Sequence, residues 1–228
     1  MGRIKLKENW KGLVNMYAHY MKRVIDFVLA LLGLIILSPV YLIIIIAIKL
    51  DSKGPVLFEQ ERMAQNKTSF KIYKFRTMRV DTPHNMPTHM LAHAGSFITR
   101  VGKILRKTSL DELPQLLNIL KGEMSIIGPR PCLLNQTDLI AARDEYGANA
   151  VKPGLTGLAQ ISGRDELPIP VKAKYDGDYC QKITFIGDAK LFLGTILSVL
   201  EHDGVKEGKT VKAQSQGVVI NEKSTNNG

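Results

Sequence analysis

The sequence predicts a mainly helical α+β fold, in which an N-terminal membrane helix precedes a compact domain with a small β-hairpin. Residues 27–48 form a run of 22 residues without a charge, which is long enough to cross the hydrocarbon core of a bilayer as a helix. Residues 56–58 and 70–75 are rich in aliphatic and aromatic side chains and flank a polar loop at 61–69, as the two strands of a hairpin do. Helical patterns dominate from residue 99 onward.

Two features of the apolar run argue against a plain membrane crossing. Ser38-Pro39 lies near its middle, where the proline ring bends a helix and the serine can bond a freed backbone group. Basic residues flank both ends of the run (Lys22, Arg23, Lys49, Lys53), and such residues stay on the cytoplasmic side. A helix that enters, bends and returns to one face satisfies both flanks. An ordinary kinked span is the alternative that these residues alone leave open.

The chain is expected to have four parts. Residues 1–20 form a basic leader, which is either an amphipathic helix on the lipid headgroups or disordered. Residues 21–50 hold the membrane helix, residues 51–202 form the folded domain, and residues 203–228 form a polar tail that is expected to be disordered.

Within the domain, a Ser109–Glu112 capping box is expected to begin a helix and Gly122 to end it. The other expected elements are a mobile loop at 81–96, helices at 99–107, 134–146 and 188–200, and a short strand at 158–161.

The chain is strongly basic, with a formal net charge of +10. Such a surplus suits nucleic acid, anionic lipid headgroups or phosphorylated substrates. The apolar run favours the last two, and no stripe of alternating basic and aromatic residues predicts nucleic-acid binding. Cys132 and Cys180 match neither a metal-ligand spacing nor a disulfide framework, which favours a reducing compartment.

Asp111-Glu112 is the main candidate for chemistry. The pair follows Arg106 and Lys107 at a predicted helix start, where capping of the helix dipole is the simpler explanation of two acids. A carboxylate can also attack phosphorus to give an acyl phosphate. Carboxylates beside phosphate-binding cations suit Mg²⁺, a hard ion that takes oxygen ligands.

Further basic residues stand in positions that suit phosphate. Prolines on both sides of Arg130 fix the backbone of a side chain that can bind phosphate with two hydrogen bonds. Lys74 and Arg76 are two residues apart on a predicted strand, so both are expected on one side. A glycine-rich loop at 152–164 ends at Arg164 and can bring backbone amides near an anion. A rigid turn, a solvated sheet face and an ordinary glycine turn are the respective alternatives.

Together these motifs resemble those of the bacterial sugar transferase family, the monotopic polyprenyl-phosphate phosphoglycosyl transferases, over residues 21–202. The chain is similar to a short member that consists of the catalytic domain alone. The resemblance rests on MKRVIDF at 21–27, Ser38-Pro39, KFRTM at 74–78, TSLDELPQLLNILKGEMSIIGPRP at 108–131 and VKPGLTGLAQISGR at 151–164.

The resemblance implies an enzyme that transfers a sugar-1-phosphate from a UDP-sugar to undecaprenyl phosphate and releases UMP, with Mg²⁺ as its cofactor. Such enzymes begin capsule, exopolysaccharide or glycoconjugate synthesis at the cytoplasmic face of the bacterial inner (plasma) membrane. Residues 165–183 are closer to members that handle N-acetylated deoxy- or diamino-sugars. The oligomeric state is left open, a homodimer included.

The resemblance also implies roles for single residues. Asp111 is implied to be the nucleophile of a covalent phospho-sugar enzyme and a Mg²⁺ ligand, with Glu112 assisting it. The membrane helix is implied to break at Ser38-Pro39 and to leave by the face it entered, which places the catalytic domain in the cytoplasm. Substrate phosphate is implied to bind Lys74, Arg106, Arg130 and Arg164.

Two other functions stay open at this stage. A membrane-anchored binding module for acidic ligands or nucleic acid, which uses the net positive charge, would show salt-sensitive binding without turnover. A catalytically silent member of the family would act as an assembly scaffold. The intact acidic pair beside cations argues against both.

Overall fold

The computed structural model of the chain describes residues 16–82, 94–163 and 167–200. Four predictions therefore lie wholly or mostly outside the described residues: the basic leader, the loop at 81–96, the role of Arg164 and the polar tail.

The described residues form a mainly helical fold with short strands, as predicted. A π-helical turn at Tyr17–Met21 precedes the first helix, and single 3₁₀ turns lie at Gln65–Lys67, Leu110–Glu112 and Ala148–Ala150. The helices are α1 (Lys22–Ile36), α2 (Ser38–Asp51), α3 (Ala94–Phe97), α4 (Arg100–Lys107), α5 (Gln115–Lys121), α6 (Thr137–Glu145), α7 (Leu158–Ile161), α8 (Ile169–Gln181) and α9 (Phe185–Leu200). The strands are β1 (Leu57–Met63), β2 (Ser69–Phe75), β3 (Ser125–Ile127) and β4 (Gly154–Thr156).

The apolar run forms two helices, α1 and α2, which meet at an angle of 62°. Neither helix in the described part of the chain is long and apolar enough to cross a membrane alone, whereas the bent pair has the required length and composition. The bend falls at Leu37, directly before Ser38-Pro39. Ser38 donates its hydroxyl hydrogen to the Ile35 carbonyl at 2.8 Å, and Pro39 lies in the first turn of α2, where its missing N–H leaves no helical bond unmade.

Polar side chains of α1 dock this apolar helix on the folded domain. Asp26 is 5% exposed and accepts hydrogen bonds from the Ser125 hydroxyl at 2.6 Å and the Ile126 amide at 3.1 Å. Arg23 donates to the carbonyls of Ile119 and Leu120 near the end of α5, which leaves fewer terminal carbonyls unpaired. The first half of the bent pair is therefore fixed to both β3 and α5.

The predicted hairpin is present, with longer strands than expected. β1 and β2 pair antiparallel from Leu57↔Phe75 to Met63↔Ser69, so the connection is a tight turn rather than the loop predicted at 61–69. A left-handed backbone at Asn66 and Lys67 makes that turn.

The second strand pair was not predicted. β3 and β4 run parallel, with Ser125 opposite Gly154 and Ile127 opposite Thr156. A Cβ at position 154 would lie 2.1 Å from the Gly128 amide nitrogen. The backbones therefore approach each other at a distance that only glycine allows.

Three local predictions were wrong. Residues 158–161 form α7, and the strand of that loop lies just before them at β4. Ser109 does not cap a helix, because it has a left-handed backbone with φ of 56° and its side chain makes no capping bond. The helix that was expected to begin there, α5, starts later, at Gln115.

α8 was not predicted, because its sequence is polar and carries only a weak helical stripe. Gly122 ends α5 with φ of 84°, as predicted.

The hydrophobic core lies where α1, the hairpin, α5 and β3 meet, and a smaller cluster lies between α2, β2 and α4. The larger cluster contains Ala30, Phe70, Ile72, Leu116, Ile119, Met124, Ile126, Ile127 and Tyr179. The smaller cluster contains Ile44, Ile48, Phe75 and Leu105. Both clusters include residues of the bent helix pair, so this pair and the domain share a core.

Candidate active site

The acidic pair lies in a tight turn rather than in a regular helix. Asp111 and Glu112 belong to the 3₁₀ turn Leu110–Glu112, between α4 and α5. The left-handed Ser109 begins this turn, and Pro114 immediately precedes α5. We call residues 109–113 the acid turn.

Glu112 is held by two cations from separate parts of the fold. Its Oε1 atom accepts hydrogen bonds from Lys74 Nζ at 2.7 Å and from Arg130 Nη2 at 2.8 Å. Burial raises the pKa of Glu112, but the charges of Arg130 and Lys74 outweigh burial and hold this pKa far below its usual value. Glu112 is therefore ionised at neutral pH and brings β2 and the Gly128–Pro131 turn to the acid turn.

Asp111 has a different environment from its neighbour. Its carboxylate makes no hydrogen bond or ion pair within the described residues, although it is partly buried. Burial raises the pKa of Asp111 and the adjacent Glu112 charge adds to the effect, while Lys74, Arg106 and Arg130 oppose it; the pKa is raised overall. Of the two acids, Asp111 is thus the one with both carboxylate oxygens available to a ligand.

Arg106 reaches the same site from α4. Its Nε atom donates to the Thr77 hydroxyl at 2.9 Å, and its charge acts on Asp111. The structure thus brings together Asp111, Glu112, Lys74, Arg106 and Arg130. Three cations around two acids leave a net positive charge, which suits an anionic substrate such as a phosphate.

Arg76 has a different role from Lys74, although the two were expected on one side of a strand. Arg76 is 5% exposed and donates to the carbonyls of Ser52 and Lys53, just after α2. β2 ends at Phe75, so the alternation of the strand does not extend to Arg76. This arginine ties the end of α2 to the domain instead of binding phosphate.

The Arg130 turn has a support that sequence reasoning missed. Arg143 donates to the Arg130 carbonyl at 3.0 Å and forms a buried ion pair with Asp176, at 2.6 Å. Their side chains are 4% and 2% exposed. Both residues lie on helices of polar sequence, where charges ordinarily face solvent, so no sequence signal distinguished them.

The carboxylates fit Mg²⁺ only with help from a substrate. The described residues contain no group of three or more histidine, cysteine or acidic side chains that could hold a metal. Mg²⁺ is commonly bound by one or two carboxylates together with substrate phosphates and water. Glu112 Oε1 already has two cationic partners, so the Asp111 carboxylate, which has none among the described residues, is the group that would bind the ion.

The chain matches known proteins over most of its length. The model of the family described as bacterial sugar transferase matches residues 17–202. The exopolysaccharide production protein ExoY of Sinorhizobium fredii is 34% identical over 202 residues, which are 82% of this chain and 89% of that protein. The exopolysaccharide production protein PSS of Rhizobium leguminosarum bv. phaseoli is 37% identical, over 79% of this chain and 95% of that protein.

A protein of Caulobacter vibrioides named UDP-glucose:undecaprenyl-phosphate glucose-1-phosphate transferase is 42% identical over 191 residues, 80% of this chain and 70% of that protein. The predicted resemblance is confirmed, and so is the prediction that the protein is an enzyme. The chain belongs to the bacterial sugar transferase family.

Proposed function

We propose that this enzyme transfers a sugar-1-phosphate from a UDP-sugar to undecaprenyl phosphate and releases UMP. The observation that carries the proposal is the available Asp111 carboxylate among Lys74, Arg106 and Arg130, in a domain that shares its core with a bent apolar helix pair. The name of the Caulobacter relative states this class of reaction for that protein. A polysaccharide or glycoconjugate pathway would use the product.

The first half-reaction uses the Asp111 carboxylate as nucleophile. One carboxylate oxygen attacks the phosphorus that carries the sugar, and the bond from that phosphorus to the oxygen of the UMP group breaks. UMP leaves, and the sugar phosphate stays on Asp111 as an acyl phosphate. The cations of Lys74, Arg106 and Arg130 would offset the phosphate charge during the transfer.

The second half-reaction returns the enzyme to its starting state. A phosphate oxygen of undecaprenyl phosphate attacks the same phosphorus, and the bond to the Asp111 oxygen breaks. The products are the diphosphate-linked lipid sugar and the free carboxylate. In this scheme Glu112 keeps Lys74 and Arg130 in place through both steps, because both cations bond its Oε1 atom.

We propose Mg²⁺ as the cofactor, with Asp111 as its protein ligand. When bound, the ion supplies positive charge that offsets the diphosphate and favours the ionised form of a carboxyl group.

The proposed location is the cytoplasmic face of the bacterial inner membrane, with α1 and α2 as a re-entrant hairpin. Support comes from the 62° bend and the basic residues on both flanks, since orientation follows lysine and arginine near the helix ends. This arrangement would place the acid turn near the headgroup region, where the phosphate of a lipid carrier lies.

The topology can be tested with single cysteines at Tyr20 and Lys53, both exposed, in a background lacking Cys132 and Cys180. Both cysteines should resist a membrane-impermeant thiol reagent in intact spheroplasts and react once the membrane is opened. A cysteine at the exposed Asp138 is the control for the domain. Labelling of position 20 alone from outside would mean a true span and would exclude re-entry.

The function can be tested with a panel of UDP-sugars that includes glucose, galactose and N-acetylated deoxy- and diamino-sugars. One of them should give at most stoichiometric UMP with enzyme and Mg²⁺ alone, and repeated turnover when undecaprenyl phosphate is added. The peptide containing Asp111 should gain the mass of the sugar phosphate. Ligand binding without any UMP release would favour a binding module, and a label on another residue would exclude the proposed nucleophile.

A further inference from the structure

Tyr41 links the membrane helix directly to the acid turn. It lies on α2, and its hydroxyl donates to the Leu113 carbonyl at 2.6 Å. Its ring meets the Phe75 ring edge to face, with centroids 5.4 Å apart. Leu113 directly follows Glu112, and Phe75 directly follows Lys74. One side chain of the second membrane helix therefore touches both chain segments that form the Lys74–Glu112 ion pair.

The far end of α2 is fixed by other segments of the same site. Arg76, which directly follows β2, donates to the carbonyls of Ser52 and Lys53. The Asp51 carboxylate accepts the Val101 amide at 3.1 Å, at the start of α4, the helix that carries Arg106. α2 is thus held at both ends by the elements that carry the site residues: the acid turn, β2 and α4.

Side chains of the acid turn are held by the ion pairs of Glu112 and by the packing of Leu110 and Leu113, but its backbone has few bonds to distant parts of the chain. Its own backbone bonds are local and long, with Glu112 N–H to the Ser109 carbonyl at 3.2 Å and Leu113 N–H to the Leu110 carbonyl at 3.3 Å. Ser109 has a left-handed backbone, which costs energy for a residue other than glycine. Within the described residues, the backbone of this turn accepts one hydrogen bond from a distant part of the chain, and its donor is the Tyr41 hydroxyl.

We propose that Tyr41 is a positioning residue that sets the depth of the acid turn relative to the membrane helix. The inference rests on the proposed function, in which Asp111 meets a water-soluble nucleotide sugar first and a lipid phosphate second. Only the second meeting requires a fixed depth at the bilayer surface. The Tyr41 hydroxyl therefore serves the transfer from enzyme to lipid and leaves the attack on the nucleotide sugar unaffected.

Tyr41→Phe is the direct test, with the full chain in lipid nanodiscs. The change removes one oxygen and keeps the ring against Phe75. The Leu113 carbonyl keeps its bond from the Leu116 amide at 3.0 Å, so no buried group is left unpaired. Turnover with undecaprenyl phosphate should fall about fivefold, the worth of one hydrogen bond. The rate of the single UMP release from UDP-sugar alone should stay unchanged.

Tyr73→Phe is the matched control. Its hydroxyl accepts a hydrogen bond from Lys121 Nζ at 2.6 Å on the exposed side of β2, away from the acid turn. In Tyr73→Phe, neither the rate of UMP release nor the turnover with undecaprenyl phosphate should change. Hydrogen exchange of the peptide covering residues 110–116 is a readout that does not depend on activity. Exchange there should quicken in Tyr41→Phe and stay as in the wild type in Tyr73→Phe.

Three results would overturn the inference. These are wild-type lipid turnover in Tyr41→Phe, an equal fall of UMP release and lipid turnover, and unchanged hydrogen exchange at residues 110–116. Failure of the proposed function has a separate signature, since the wild-type enzyme would then release no UMP from any UDP-sugar. Hydrogen exchange would still decide in that case whether Tyr41 anchors the turn.

Discussion

Asp111→Asn is expected to lower turnover at least about a thousandfold, because an amide does not attack phosphorus and the removal of a nucleophile is among the costliest single changes in an enzyme. The fold should survive, since the Asp111 carboxylate makes no hydrogen bond or ion pair within the described residues. The variant also replaces a carboxylate whose ionised form burial disfavours with a neutral group. The two measurements are the rate of UMP release and the unfolding temperature, both compared with the wild type in the same detergent.

Asp138→Asn is the matched control, because it makes the same change at an exposed position on α6 and should leave turnover unaltered. Glu112→Gln should also weaken the enzyme but leave a measurable rate, since it removes the charge that holds Lys74 and Arg130 and spares the nucleophile. Retention of more than a few per cent of wild-type UMP release by Asp111→Asn would exclude Asp111 as the nucleophile.

The elements that sequence predicted well are those encoded by nearby residues. The hairpin needs only two apolar runs and a polar turn, and the end of α5 needs only a glycine that can adopt a positive φ. The bend before Ser38-Pro39 likewise follows from one proline in an apolar run. Asp111, Glu112, Lys74, Arg106 and Arg130 were each named as site residues, and the fold places them together. Their proposed roles are still predictions.

The elements that sequence missed depend on distant contacts. β3 and β4 are three residues each, too short for a periodic signal, and pair only because the domain brings them together. The Ser109–Glu112 spacing matched a capping box, yet tertiary packing placed Ser109 in a left-handed turn. Tyr41 in an apolar run resembles any membrane-interface tyrosine. Its bond to Leu113 is visible only in three dimensions.

The largest stability effect is expected from Arg143→Met. Arg143 and Asp176 are almost fully buried, and the ion pair between α6 and α8 is 2.6 Å long. Burial raises the pKa of Asp176 while Arg143 opposes it, so loss of the arginine leaves a buried carboxylate without its cation. Breaking such a pair costs roughly 3–5 kcal/mol. Denaturant unfolding in detergent at neutral pH measures this loss.

The pH dependence of that loss identifies its cause. A carboxyl whose folded pKa is raised destabilises the fold above that pKa, because the unfolded chain releases the proton more readily. The deficit of Arg143→Met should therefore shrink as the pH falls through the pKa of Asp176, which loss of the Arg143 charge raises further. A deficit that does not change with pH would instead indicate lost packing of the arginine side chain.

The surface pair Lys67–Asp144 is the control for burial, because its length is also 2.6 Å while its side chains are 52% and 41% exposed. Lys67→Met should change stability little, since exposed pairs are screened by solvent.

The double variant Arg143→Met with Asp176→Leu should recover most of the lost stability, because an apolar pair can replace a buried ion pair. Equal losses in Arg143→Met and Lys67→Met would contradict the argument. Arg143 also donates a hydrogen bond to the Arg130 carbonyl. If the double variant recovers stability but loses turnover, the ion pair positions Arg130 in addition to stabilising the fold.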